Sequence, residues 1–248
     1  MEKKYILTEE TKEVGGHILH KIQAVRDFGG VQKGDLGGWV ESEENLSHDG
    51  DCWIFDNGRV FGNGEVYDNG KVSGNGKVFD NGWVYDNGWV FGNGEVYGNG
   101  RVFGNGEVYG NGEVSGDGKV FDNGRVYGDG RVSDNGWVFG DGKVFGNGEV
   151  YGNGRVSDDG WVFGNAKIGF NAYISSPRSY FVQGPIGSRD DFLTCYLDKD
   201  KKIYAVTGCF SGTLEEFEKK VKETHGSNKH AKQYLKAAEM ARVMLSED

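Results

Sequence analysis

The residues that could do acid–base or ligand chemistry lie toward the two ends of the sequence. Its five histidines are His17, His20, His48, His225 and His230, so none falls between 48 and 225. Histidine is the commonest general base, and its absence from the middle confines that chemistry to the flanks. His17 and His20 are three apart in a stretch that alternates like a strand, so they face opposite ways and read as surface or partly buried histidines rather than a shared metal site. His225 and His230 flank a helix break and read the same way. Cys52, Cys195 and Cys209 are an odd number without C-x-x-C spacing, which favours reduced, buried thiols over a disulfide or a metal centre. The stretch Gly184-Pro185-Ile186-Gly187-Ser188-Arg189-Asp190-Asp191 reads as a turn. Its Ser188 and Arg189 are a weak anion-binding candidate, because the spacing matches no phosphate loop. No catalytic group, metal ligand set or cofactor motif emerges.

The middle of the chain offers stacking and cation–π chemistry. Trp83, Trp89, Trp137 and Trp161 occupy positions that elsewhere in the same pattern hold Lys, Arg or Glu. Arg101, Lys119 and Arg155 are interleaved with Trp83 and Trp137, beside Phe103, Phe121 and Phe139. Exposed ladders of this kind mark interaction surfaces, although aromatic stacking also stabilises a glycine-rich scaffold by itself at about 0.5–1.5 kcal/mol per pair. These ten residues are the candidate partner-binding set. Basic residues between aromatics also suit nucleic acid, but the corner aspartates Asp68, Asp86, Asp122 and Asp158 weaken the local potential. A protein partner or a second copy of the chain, giving a homo-oligomer, is preferred.

What positions these side chains is a six-residue repeat. An aliphatic residue falls on every sixth position from Ile54 through eighteen valines, Val60 to Val162, to Ile168 and Ile174. The unit runs Val, Phe/Tyr/Ser, Gly/Asp, Asn/Asp, Gly, variable. Its fifth position is glycine 18 times in 20 and alanine at Ala166 and Ala172. Helix is excluded, because glycine at this density costs about 1 kcal/mol per residue relative to alanine. A meander of Asn-Gly hairpins would leave strands of about three residues with no face to bury. A solenoid of short strands remains, with valine and the small residue inside, their neighbours outside, and turns at Gly-Asn.

This unit resembles the hexapeptide repeat of left-handed parallel β-helices. The resemblance implies three hexads per coil, hence about seven coils and a prism roughly 34 Å long at about 4.8 Å per rung. The aromatic second position departs from that family. Many of its members are acyltransferases with a histidine general base and a loop projecting between coils. Here the coils have neither histidine nor insertion, so no pocket is expected beside the prism, and the chain is read as not an enzyme.

Residues 1–53 read as an N-terminal β cap with a first irregular coil, entered at Leu36-Gly37-Gly38-Trp39-Val40. The eight residues from Leu46 to Ile54 require a corner insertion. Residues 54–174 form the solenoid. Residues 175–248 read as a small α+β domain with strands at Tyr180–Val182, Phe192–Leu197 and Ile203–Phe210. Its first helix opens on the capping box Thr213-x-x-Glu216 and ends at Gly226; the second runs from about Lys229 to Leu245 with Tyr234, Leu235, Ala238 and Ala241 on its stripe. The fold class is mainly β.

The net charge is −10, from 28 basic and 38 acidic residues, which disfavours nucleic acid on average. No apolar run suits a signal peptide or a membrane span, so a cytoplasmic protein is expected. The layout of Leu36–Val40, Asn45-Leu46-Ser47-His48, tandem Val-Tyr-Gly-Asn units and a short α+β tail resembles uncharacterised hexapeptide-repeat proteins of phages and prophage-bearing bacteria. That implies a phage-linked setting but carries over no functional residue. The function expected is an interaction protein that binds a host macromolecule, inhibiting or recruiting it, through a solenoid face or the C-terminal domain. The alternatives are a virion or appendage component assembling through aromatic faces, and sequestration of a small ligand such as a nucleotide by the C-terminal domain.

Overall fold

A computed structural model describes residues 2–198 and 200–246. The hexads form a parallel β-solenoid of about 8 turns. Each contributes a two-residue strand, the variable residue plus valine, as in Arg101–Val102. Every eighteenth residue stacks in register, Trp83 on Arg101 on Lys119 on Trp137 on Arg155 on Tyr173. Three sheets result. The first face carries the strands from Glu65–Val66 to Tyr173–Ile174, the second those from Trp53–Ile54 to Trp161–Val162, and the third those from Arg59–Val60 to Lys167–Ile168.

The valines from Val60 to Val162 fill the prism and are 0–1% exposed, so the alternation of the repeat is met. The chain turns at the third position of the unit, which takes positive φ whether it is glycine (Gly104, φ 58°) or aspartate (Asp122, φ 52°); Asn and Asp lie next to it. Those Asn side chains form their own ladder, Asn69 donating to Asn87 at 3.3 Å and Asn87 to Asn105 at 3.3 Å. The fifth-position glycine has a different cause. A Cβ built on Gly94 would lie 2.6 Å from the carbonyl oxygen of Val108, one rung on. Ala166 and Ala172 occur only in the last coil, where no further rung follows.

Trp39–Val40 pairs in parallel with Arg59–Val60, and Leu46 bridges Val66. The extra residues before Ile54 form a corner filled by Lys4, which is fully buried. Its ammonium donates to the carbonyls of Asp49, Gly50 and Cys52 and lies 3.1 Å from the Cys52 sulfur. The hairpin Tyr5–Val14 and His17–Ala24 pairs antiparallel with Leu36–Val40 and extends the third sheet past the first coil.

After Ile174 the chain forms a four-stranded antiparallel sheet, Tyr180–Ile186, Asp191–Leu197, Ile203–Thr207 and Phe210–Thr213. The single strand expected at Ile203–Phe210 is in fact two. Gly208, at φ 53°, supplies the positive φ of a two-residue turn, and Thr207 pairs with Phe210. Helix α1 (Leu214–His225) starts at the Thr213 capping box and stops at Gly226. Helix α2 (Lys229–Leu245) buries Tyr234, Ala238 and Ala241, with Leu235 half-buried against the same core. Tyr180, Tyr196 and Val206 belong to the same apolar core as the last solenoid rungs, so the C-terminal sheet closes the open end of the prism. Among the described residues no helix is long and apolar enough to cross a membrane.

Candidate functional site

Two concavities gather the chemistry-bearing side chains. The larger, about 990 Å³, is a groove along the last rungs of the first face. Its floor is the stack Lys119, Trp137, Arg155 and Tyr173, with Asp117, Asn135, Asn153 and Asn171 on one side and Leu197, Asp198 and Lys201 from the C-terminal sheet as the opposite wall. The expectation of no pocket beside the prism is therefore corrected. A loop between coils is not needed, because the C-terminal domain itself overhangs the face.

On the first face each cation lies over an indole. Arg101 is 4.6 Å from the Trp83 ring centroid, while Lys119 and Arg155 lie 4.9 and 4.5 Å from that of Trp137. Among the described residues none of these three cations has an ion-pair partner. On the other two faces rung-to-rung pairs form, Lys77 with Glu95 at 2.6 Å, Arg125 with Glu107 at 3.1 Å and Arg131 with Glu113 at 3.5 Å. The wall residue Asp198 is only 9% exposed and accepts from the backbone N–H groups of Asp200 and Lys202, both at 2.9 Å, so its charge is already engaged. The result is a narrow positive stripe bordered by acidic corners.

The candidate residues divide between two faces. Trp83, Arg101, Lys119, Trp137 and Arg155 share the first face, with Phe103, Phe121 and Phe139 in the adjoining aromatic column. That column stacks rung on rung at 4.9–5.0 Å with interplanar angles of 3–4°, so these three rings cover the scaffold and present only their edges. Burial, and then neighbouring Tyr85, Asp68 and Glu65, push the Tyr67 hydroxyl at its base up to about 12. Trp89 and Trp161, 39% and 40% exposed, lie on the second face, away from the groove. The indole N–H of Trp89 donates to Ser73 at 3.0 Å.

The smaller concavity, about 350 Å³, lies in the C-terminal domain and includes Ser188 and Arg189. Its floor is apolar, from Phe210, Phe217, Val221 and Tyr234, and its rim carries Cys209, Lys220 and His225. The turn read at 184–191 thus does border a cleft. Burial, then Asp191, pushes the Tyr234 phenol up. Cys52 and Cys195 are buried, and desolvation holds the Cys195 thiol up at about 12, inert by the physics of thiolates. Cys209 is exposed, which corrects the expectation of a buried thiol: the two-residue turn projects it into the cleft rim. His17 meets Glu41 at 2.9 Å and His20 the carbonyl of Thr8 at 3.3 Å. Among the described residues no group of three metal-ligating side chains gathers.

The period of 18 predicts that Asp117, Asn135, Asn153 and Tyr173 border the first-face stripe. Nothing local predicts that Lys201 lines the same groove as Arg155, or that Cys209, His225 and Tyr234 share a cleft with Arg189.

The chain matches no protein-family model. Over 66 residues it is 33% identical to the uncharacterized acetyltransferase YdcK of Escherichia coli strain K12, a match covering 23% of this chain and 20% of that protein. The chain therefore spans about a fifth of the length of the curated relative it matches. The expectation that the chain is not an enzyme is overturned by this similarity to a protein named as an acetyltransferase. That expectation rested on the coils lacking both a histidine and an inserted loop, which bears only on a site built by the coils themselves.

Proposed function

We propose that the protein engages an extended acidic segment of a protein partner in the first-face groove. The observation that carries this reading is the set of three cations, Arg101, Lys119 and Arg155, held over Trp83 and Trp137 without ion-pair partners among the described residues. A cation over an indole is ordered without being neutralised, so it is available to a carboxylate. The stripe is one side chain wide, with Asp117 on the groove's edge, so its positive potential is narrow and suits a single extended chain rather than a broad polyphosphate. We take the partner to be a host macromolecule that this binding inhibits or recruits.

Titration with a short poly-glutamate peptide, followed by tryptophan fluorescence, tests this. Saturable binding that weakens with salt is expected, and the Lys119→Glu/Arg155→Glu double variant should lose affinity at least tenfold. No binding, or tighter binding of a single-stranded oligonucleotide, overturns the reading. Equal binding by the double variant does the same.

A second reading, acetyl transfer, is favoured by the similarity to YdcK. Thiol release from acetyl-coenzyme A in the presence of candidate amines checks it. A rate equal to the protein-free control counts against it.

A further inference from the structure

The C-terminal cleft is separate from the groove and calls for a ligand of its own chemistry. Its floor is built from two buried rings, a buried valine and the half-buried Phe210: Phe217 and Tyr234 meet edge to face at 5.6 Å, and Phe210 packs on Phe217 at 5.4 Å. At about 350 Å³ it falls within the range of small-molecule sites. The rim is cationic on two sides. Arg189 reaches from the turn after Tyr180–Ile186, its guanidinium 3.9 Å from the Cys209 sulfur. Lys220 projects from α1, with Glu223 at 3.9 Å as its distant partner. The one lining carboxylate, Asp191, is occupied, accepting from the N–H groups of Phe192 at 2.8 Å and Gly208 at 3.0 Å.

The charge at this rim fits a single negative group. The last turn of α1, Lys220 to His225, borders the cleft, and a helix C-terminus carries partial negative charge that opposes a polyphosphate. Asp190 and Asp191 add to that opposition. A ligand with an apolar or aromatic body and one carboxylate meets both halves of the site, the body on Phe210, Phe217 and Tyr234 and the carboxylate on Arg189, whose planar fork suits it.

We propose that this cleft binds a small monocarboxylic acid with an aromatic or branched apolar body. The proposal is independent of the groove and of acetyl transfer. Cys209 gives a direct readout, because it is the exposed cysteine while Cys52 and Cys195 are buried. Alkylation of Cys209 by iodoacetamide in the full chain, followed by mass spectrometry, is measured with phenylacetate, isovalerate or benzylamine present. For each variant the rate with ligand is divided by the rate without, since Arg189 affects the thiol directly. At saturation at least one of the two acids should slow alkylation several-fold, and benzylamine, which has the ring but the opposite charge, should not. In Arg189→Ala the acid concentration needed for half-protection should rise about tenfold or more; an unchanged thermal midpoint shows that the exposed substitution leaves the fold intact. The proposal is overturned if neither acid protects, if benzylamine protects equally, or if Arg189→Ala is protected as well as the parent chain.

Discussion

At the scale of single residues the repeat is governed by two kinds of glycine. The corner position needs positive φ, which aspartate also tolerates, and so the sequence alternates between the two there. The fifth position needs the absence of a Cβ, since one placed on Gly94 would lie 2.6 Å from the Val108 carbonyl oxygen of the next coil. Gly94→Ala should therefore destabilise by about 1–3 kcal/mol through overpacking against backbone that cannot move aside. Ala166→Gly, in the last coil where no further rung follows and the buried methyl meets no such carbonyl, should cost only about 1 kcal/mol. Urea denaturation of the two variants checks the contrast. The same view separates the aromatics: the Phe103–Phe121–Phe139 column is engaged in stacking, whereas the indoles of Trp83 and Trp137 support cations that remain free to bind.

At the scale of elements, the turn end of the N-terminal hairpin meets the first coil through Glu41. Its carboxylate meets His17 at 2.9 Å and accepts from the Gly62 N–H at 2.7 Å. The hydrogen bond to His17, ahead of the Gly62 contact, holds its pKa below the usual carboxylate value, with burial opposing. A carboxylate depressed in the folded state stabilises at pH above its unfolded value, and that contribution is lost as pH falls through the folded one. Acidification below the normal glutamate range should thus loosen the hairpin before the valine core. Corrected for the intrinsic rate at each pH, hydrogen-exchange protection of the 17–24 strand amides should fall earlier with acid than that of the central rungs, and Glu41→Gln should remove that difference.

At the scale of the molecule, each rung touches only its neighbours, so the solenoid behaves as a nearly one-dimensional array. Deleting residues 61–78 removes one full coil and leaves Val60 followed by Phe79, with Trp83, Arg101, Lys119, Trp137 and Arg155 still in line. This variant should fold and still bind poly-glutamate. Deleting residues 103–108 removes a single hexad. The interior should still form, but every later residue moves to another face, separating Trp83 and Arg101 from Lys119, Trp137 and Arg155. Circular dichroism of both variants, with peptide titration, checks that the first keeps binding and the second binds more weakly.

The sequence alone determined the solenoid, its inward valines, the corner insertion before Ile54, the three columns of outward side chains and both C-terminal helices. Each follows from a short-range rule: a period of six, a capping box, a glycine stop. That Trp83, Arg101, Lys119, Trp137 and Arg155 share one face was implied by the resemblance, which puts three hexads in each coil. Only the tertiary structure decided that the C-terminal sheet overhangs that face to make a groove, that Lys4 plugs a corner, and that Arg189, Cys209 and His225 surround one cleft. Those contacts join residues between 20 and 48 positions apart, or across two domains. They depend on how separate elements dock through shared apolar surface, and no local periodicity encodes that.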